Sequence, residues 1–78
     1  MKYRNLGDLI IAVLDGMGRM PPGLTHDEAM DWYAGQPDMV ELSRLCGVYF
    51  DAQRNPPEGV IGVGAITYAE QMLQAAQK

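Results

Sequence analysis

The chain has 78 residues and a net charge of −4, which makes one small acidic domain, because a second would have no core of its own. A single cysteine, Cys46, excludes an internal disulfide, and one histidine with one cysteine falls short of a structural zinc site, so neither metal nor cofactor is expected. The six Lys and Arg residues form no cluster able to displace counterions from a phosphate backbone; direct nucleic-acid binding is therefore not expected, and a basic protein surface is the expected partner.

Asn5 is a good N-cap and Asp8 suits the first turn of the helix that follows. Leu6, Leu9, Ile10, Val13, Leu14 and Met17 recur at three–four spacing, which predicts a helix over 6–17 with these side chains on one stripe. Gly16 and Gly18 supply C-cap conformations, and Pro21-Pro22 prevent continuation. The uninterrupted apolar run Leu9 to Leu14 is closed by Asp8 and Asp15. It is shorter than a signal-peptide core of roughly 7–15 residues or a membrane span of about 20, so a cytoplasmic location is expected. Ile11 lies off the stripe, near the two acids.

Thr25 and Glu28 form a T-x-x-E capping box and open a helix over 26–34. Steps of about 100° per residue turn Ala29, Met30, Tyr33 and Ala34 inward and Asp27, Glu28 and Asp31 outward, with Trp32 on the border. A third helix runs over 38–54, its inward face formed by Met39, Leu42, Leu45, Cys46, Tyr49 and Phe50. Glu41–Arg44 and Asp51–Arg54 pair on its wet side, and Val40, Ser43 and Gly47 make a flat strip of small residues at its back. Gly47 costs roughly 1 kcal/mol inside a helix, which predicts a close neighbour there. Asn55-Pro56-Pro57-Glu58 reads either as a linker turn or as the capped start of a further helix. The run Gly59–Ala65 has no second strand-like run to pair with and reads as a glycine-softened beginning of a fourth helix over 60–77. That helix carries the stripe Ala65, Ile66, Ala69, Met72, Leu73 and Ala76. Four amphipathic helices with short connections predict an all-α bundle over residues 1–78.

No motif of catalysis emerges. The series Gly59, Gly62, Gly64 lacks both the dinucleotide spacing and the lysine of a phosphate-binding loop. Ser43 and Cys46 sit within a helix, and nothing holds His26 beside either as a base, so an enzyme is not expected. Length, acidity and four helices resemble the acyl carrier proteins, which implies a serine carrying phosphopantetheine within an Asp-Ser-Leu motif at the start of the second helix. The sole serine here stands in Leu42-Ser43-Arg44, in mid-helix and without the Asp.

The most distinctive stretch is Thr25–Glu41, which holds five of the ten carboxylates and the only Trp, and no Lys or Arg occurs between Met20 and Ser43. Asp27, Glu28, Asp31, Trp32, Asp38 and Glu41 are accordingly the expected partner-binding residues: the aromatic ring anchors, and the carboxylates orient a basic surface. In size and charge the chain is similar to phage-encoded inhibitors of bacterial defence, anti-CRISPR proteins among them. That likeness implies occlusion of a nucleic-acid-binding surface on a larger protein. The alternative is an assembly module that self-associates through Ile11, Val40 and Gly47, so both a monomer and a homodimer are consistent with the sequence.

Overall fold

A computed structural model, which describes residues 2–78, contains four helices and no strand among those residues. They are α1 (Leu6–Gly18), α2 (His26–Ala34), α3 (Pro37–Arg54) and α4 (Val63–Ala75). The predicted all-α class is correct, and the first three helices begin and end within one residue of their predicted limits.

Local chemistry sets the starts of α1 and α2. Asn5, in extended backbone, accepts the Asp8 N–H at 2.9 Å, and the Asp8 carboxylate accepts the Arg4 N–H at 2.9 Å. Both halves of the Thr25–Glu28 capping box form, at 3.2 and 3.1 Å. Pro37 occupies the first turn of α3, where its missing N–H costs nothing.

The end of α1 differs from expectation. Gly16 and Gly18 are both helical, and the cap is Arg19 in right-handed geometry, its N–H donating to Gly16 O. Gly16 instead lets α3 approach: a Cβ there would come within 2.5 Å of Met39 Cε. Gly47, expected to serve that purpose, has open space around it.

The fourth helix begins at Val63 rather than 60 and ends at Ala75 rather than 77. Gly59 and Gly62 adopt φ of +85° and +58°, left-handed values that a continuing helix does not accommodate. Asn55 caps nothing downstream; its Nδ2 donates back to Asp51 O at 3.3 Å, at the end of α3. The Asn55–Glu58 segment is therefore the linker turn of the two readings.

α3 is a spine. It packs against α4 most extensively and against α1 and α2 as well, whereas those three make only slight contact with one another. Leu9 from α1, Met39, Leu42, Leu45 and Tyr49 from α3, and Ala65, Ala69 and Leu73 from α4 form the buried core. A clasp ties the segment before α1 to the end of α4: Tyr3 N–H donates to Gln77 Oε1 at 2.9 Å, and Gln77 Nε2 donates to Tyr3 O at 2.6 Å. The result is long and thin, 46 × 24 × 17 Å, with a radius of gyration of 14.5 Å. A compact chain of this length has about 11.5 Å. Because three helices share one spine, several side chains predicted to face inward are exposed instead, among them Ile10, Leu14, Met17, Met30, Phe50, Ile66 and Met72. Among the described residues, no helix is long and apolar enough to cross a membrane.

Candidate binding groove

The spine arrangement leaves an open apolar groove of about 380 Å³ between α1, α2 and the first half of α3. Val13 and Met17 of α1 line one wall, with Met20 just beyond the helix. Met30, Trp32 and Tyr33 of α2 line the other, and Met39, Leu42 and Cys46 of α3 form the floor. Tyr33 is fixed by donating its hydroxyl to Met39 O at 2.8 Å, which pins the end of α2 to the start of α3. Gly16 of α1 admits the Met39 side chain, which a Cβ there would meet. Met39 is thus held at both its carbonyl, by Tyr33, and its side chain, against Gly16.

Four of the chain's six methionines, together with its only tryptophan, meet in this groove. Methionine side chains are unbranched and polarizable, so a surface rich in them adapts to differently shaped apolar groups. Apart from the pinned Tyr33, the only hydroxyl in the lining is that of Ser43. Cys46, on the floor, has its thiol pKa pushed up by burial, the opposite of an activated nucleophile. His26 is exposed in the first turn of α2. Among the described residues, no three His, Cys, Asp or Glu side chains gather as a metal site.

The six residues expected to bind a partner do not form a single acidic surface. Asp27 and Asp31 are exposed on α2 and make no ion pair among the described residues. Glu28 is engaged in the capping box, and the Thr25 N–H holds its carboxyl below the ordinary range. Asp38 pairs with Arg19 at 2.7 Å, and Glu41 accepts from Arg44 Nε at 3.0 Å. The arginine hydrogen bonds lower both carboxyl pKa values. Two of the five carboxylates, Asp38 and Glu41, are thus paired with the chain's own arginines, which corrects the picture of one continuous unpaired belt. The Arg19 partner comes from outside the residues free of Lys and Arg, reaching across from the end of α1. Trp32 is half-buried and contributes to the wall of the groove rather than standing among the acids.

The expected self-contact residues lie apart from this groove. Ile11, 70% exposed, borders a shallow depression with Lys2, Asp8 and Asp15, while Val40 and Gly47 are exposed on α3. Sequence reading missed the groove because Met17, Met30 and Met39 all satisfied a helical stripe and were assigned to the core. The available signal was the crowding of four methionines between residues 17 and 39. Comparison with protein-family models, with curated proteins and with solved structures finds no match for this chain.

Proposed function

We propose that the chain is a non-enzymatic binding module whose groove receives an amphipathic, basic segment of a larger protein. The observation that carries this reading is the convergence of Met17, Met20, Met30, Met39 and Trp32 on one open groove. Apolar anchors of the partner fill such a groove in the manner of helix-in-groove recognition. Asp27, Glu28 and Asp31, exposed on α2, a helix without Lys or Arg, attract lysines and arginines flanking the anchors. Smallness and acidity support an inhibitor or adaptor that covers a surface otherwise used for nucleic acid, as in phage anti-defence proteins.

Fluorescence of the sole tryptophan supplies the test. An amphipathic Leu/Lys helical peptide should shift Trp32 emission and saturate, more weakly as salt rises. A Leu/Glu peptide with the same apolar face should not bind. Met30→Glu should abolish the response, and Asp27→Lys combined with Asp31→Lys should slow association by about tenfold. Equal binding of the acidic peptide, or an emission spectrum that neither peptide moves, would sink the reading.

A further inference from the structure

Each wall of the groove presents one methionine to water. Met17 on α1 is 55% exposed and Met30 on α2 is 54% exposed, whereas Met39 on the floor is 6% exposed. Met72 of α4, 40% exposed, lies outside the groove. Taking the groove as the binding site, on which reading this rests, we propose that Met17 and Met30 are oxidation sites. Conversion of their thioethers to sulfoxides by a hydroperoxide releases the partner segment, and reduction restores its binding.

Neither helix requires sulfur at these positions. Leucine matches methionine in helix propensity and nearly in volume, so leucine alone could build the same apolar walls. The thioether adds a flexible, polarizable arm that adapts to its occupant, and a lone pair that a peroxide oxidises. The oxidant arrives from solvent, so the half-exposed sulfurs of the walls are reached before the covered one of the floor. In the step, the sulfur lone pair attacks one peroxide oxygen, the O–O bond breaks and an S=O bond forms. Sulfur gives up two electrons, the peroxide takes them, and the departing hydroxide collects the proton of the transferred oxygen and leaves as water. A methionine sulfoxide reductase reverses this with two thiols, which become a disulfide while the oxygen departs as water.

The new oxygen falls where an occupied groove tolerates it least. In the free chain both positions are open to water, which hydrates the sulfoxide and leaves the fold intact. Apolar anchors of a partner strip that water away, and the lining offers few donors to replace it. Tyr33 already gives its hydroxyl to Met39 O, which leaves the Ser43 hydroxyl, the Trp32 indole N–H and the weak Cys46 thiol. Burying an unpaired sulfoxide oxygen weakens binding by at least about tenfold. Because Met17 and Met30 stand on different walls, an occupant seated against either helix meets one of them. The coupling is reciprocal: a partner that binds the reduced form more tightly also protects it from the oxidant.

The test is graded treatment with hydrogen peroxide, the oxidised positions being mapped by mass spectrometry and binding followed by the anisotropy of a labelled Leu/Lys peptide. Sulfoxide should accumulate at Met17 and Met30 ahead of Met39, and peptide affinity should fall by at least about tenfold. A methionine sulfoxide reductase with a dithiol should restore it. Met17→Leu combined with Met30→Leu should bind within about threefold of wild type and keep that affinity after peroxide. Met72→Leu should lose affinity on oxidation as wild type does. Both wall positions are exposed, so helicity by circular dichroism should survive oxidation. Where it does not, Met17→Gln combined with Met30→Gln is read in its place, with the same expected loss of binding. Unchanged affinity of the chain oxidised at both positions, or of the double Gln variant, overturns the proposal, as does a loss that persists in the double Leu variant. In each of those outcomes the reduced wild-type chain still binds the peptide and the groove reading stands; a reduced chain that binds no peptide overturns both.

Discussion

Leu9→Ala tests whether α1 is held by a single buried anchor. Leu9 is the only large side chain of α1 that is fully buried, while Leu6, Ala12 and Val13 are only partly covered. Removing three buried carbons costs about 2.4 kcal/mol at about 0.8 kcal/mol each. A residual void of about 40 Å³ adds about 1 kcal/mol. The sum, about 3.4 kcal/mol, is a large share of the roughly 4–12 kcal/mol that stabilises a chain of this length. Because α4 packs on α3 and hardly on α1, the loss should be local. Native-state hydrogen exchange should show the α1 amides from Val13 to Met17 losing about 3 kcal/mol of protection, and those from Ala69 to Leu73 losing less than about 1 kcal/mol. The peptide-induced change in Trp32 emission should disappear with it, since Val13 and Met17 leave the groove. Equal losses in α1 and α4, or a loss in α1 below about 1 kcal/mol, would refute the reasoning.

The clasp between the two ends of the described chain is open to the same treatment. Gln77→Ala removes hydrogen bonds to both backbone groups of Tyr3 and to Leu73 O, and should cost about 1–2 kcal/mol in urea unfolding, with Lys78→Ala neutral. Thr25→Ala removes the α2 cap and should cost about 1 kcal/mol; an unchanged midpoint would mean that α2 is held by Tyr33 alone. The carboxyls of Glu28, Asp38 and Glu41 all have folded pKa values below their ordinary ones. The unfolded chain therefore binds more protons, and stability should hold above the ordinary carboxylate range and fall as the pH drops through the folded values. High salt should blunt the part due to Asp38 and Glu41 more than the part due to the capping box. Cys46 should alkylate more slowly than a free thiol at the same pH, because burial raises its pKa, and slower still with peptide in the groove. A rate equal to that of the unfolded chain would place its sulfur in open water.

Local signals were readable from the residues and long-range ones were not. Thr25, Glu28 and Gly35 mark both ends of α2, because capping is written within four residues of itself. The delayed start of α4 was hidden, since a glycine is equally compatible with a helical φ and with the +58° that Gly62 adopts. Periodicity correctly gave the apolar face of α1, but not how much of it is covered. Ile10 and Leu14 satisfy the spacing as well as Leu9 does, yet lie beside the contact with α3 rather than within it. The pairing of Asp38 was hidden for a related reason: Arg19 and Asp38 are nineteen residues apart, and no spacing rule pairs them. The groove was legible in composition alone, through its methionines.

The central position of α3, in sequence as well as in space, has a consequence during synthesis. α1 leaves the ribosome before the surface it needs exists, since 36 residues separate its end at Gly18 from the end of α3 at Arg54. At about 5–20 residues per second, that interval is roughly 2–7 s. Throughout it, Leu9, Ile10, Leu14 and Met17 have no helix of their own chain to cover them. A nascent chain in that state is a natural substrate for a chaperone, and neighbouring ribosomes on one message hold several such chains close together.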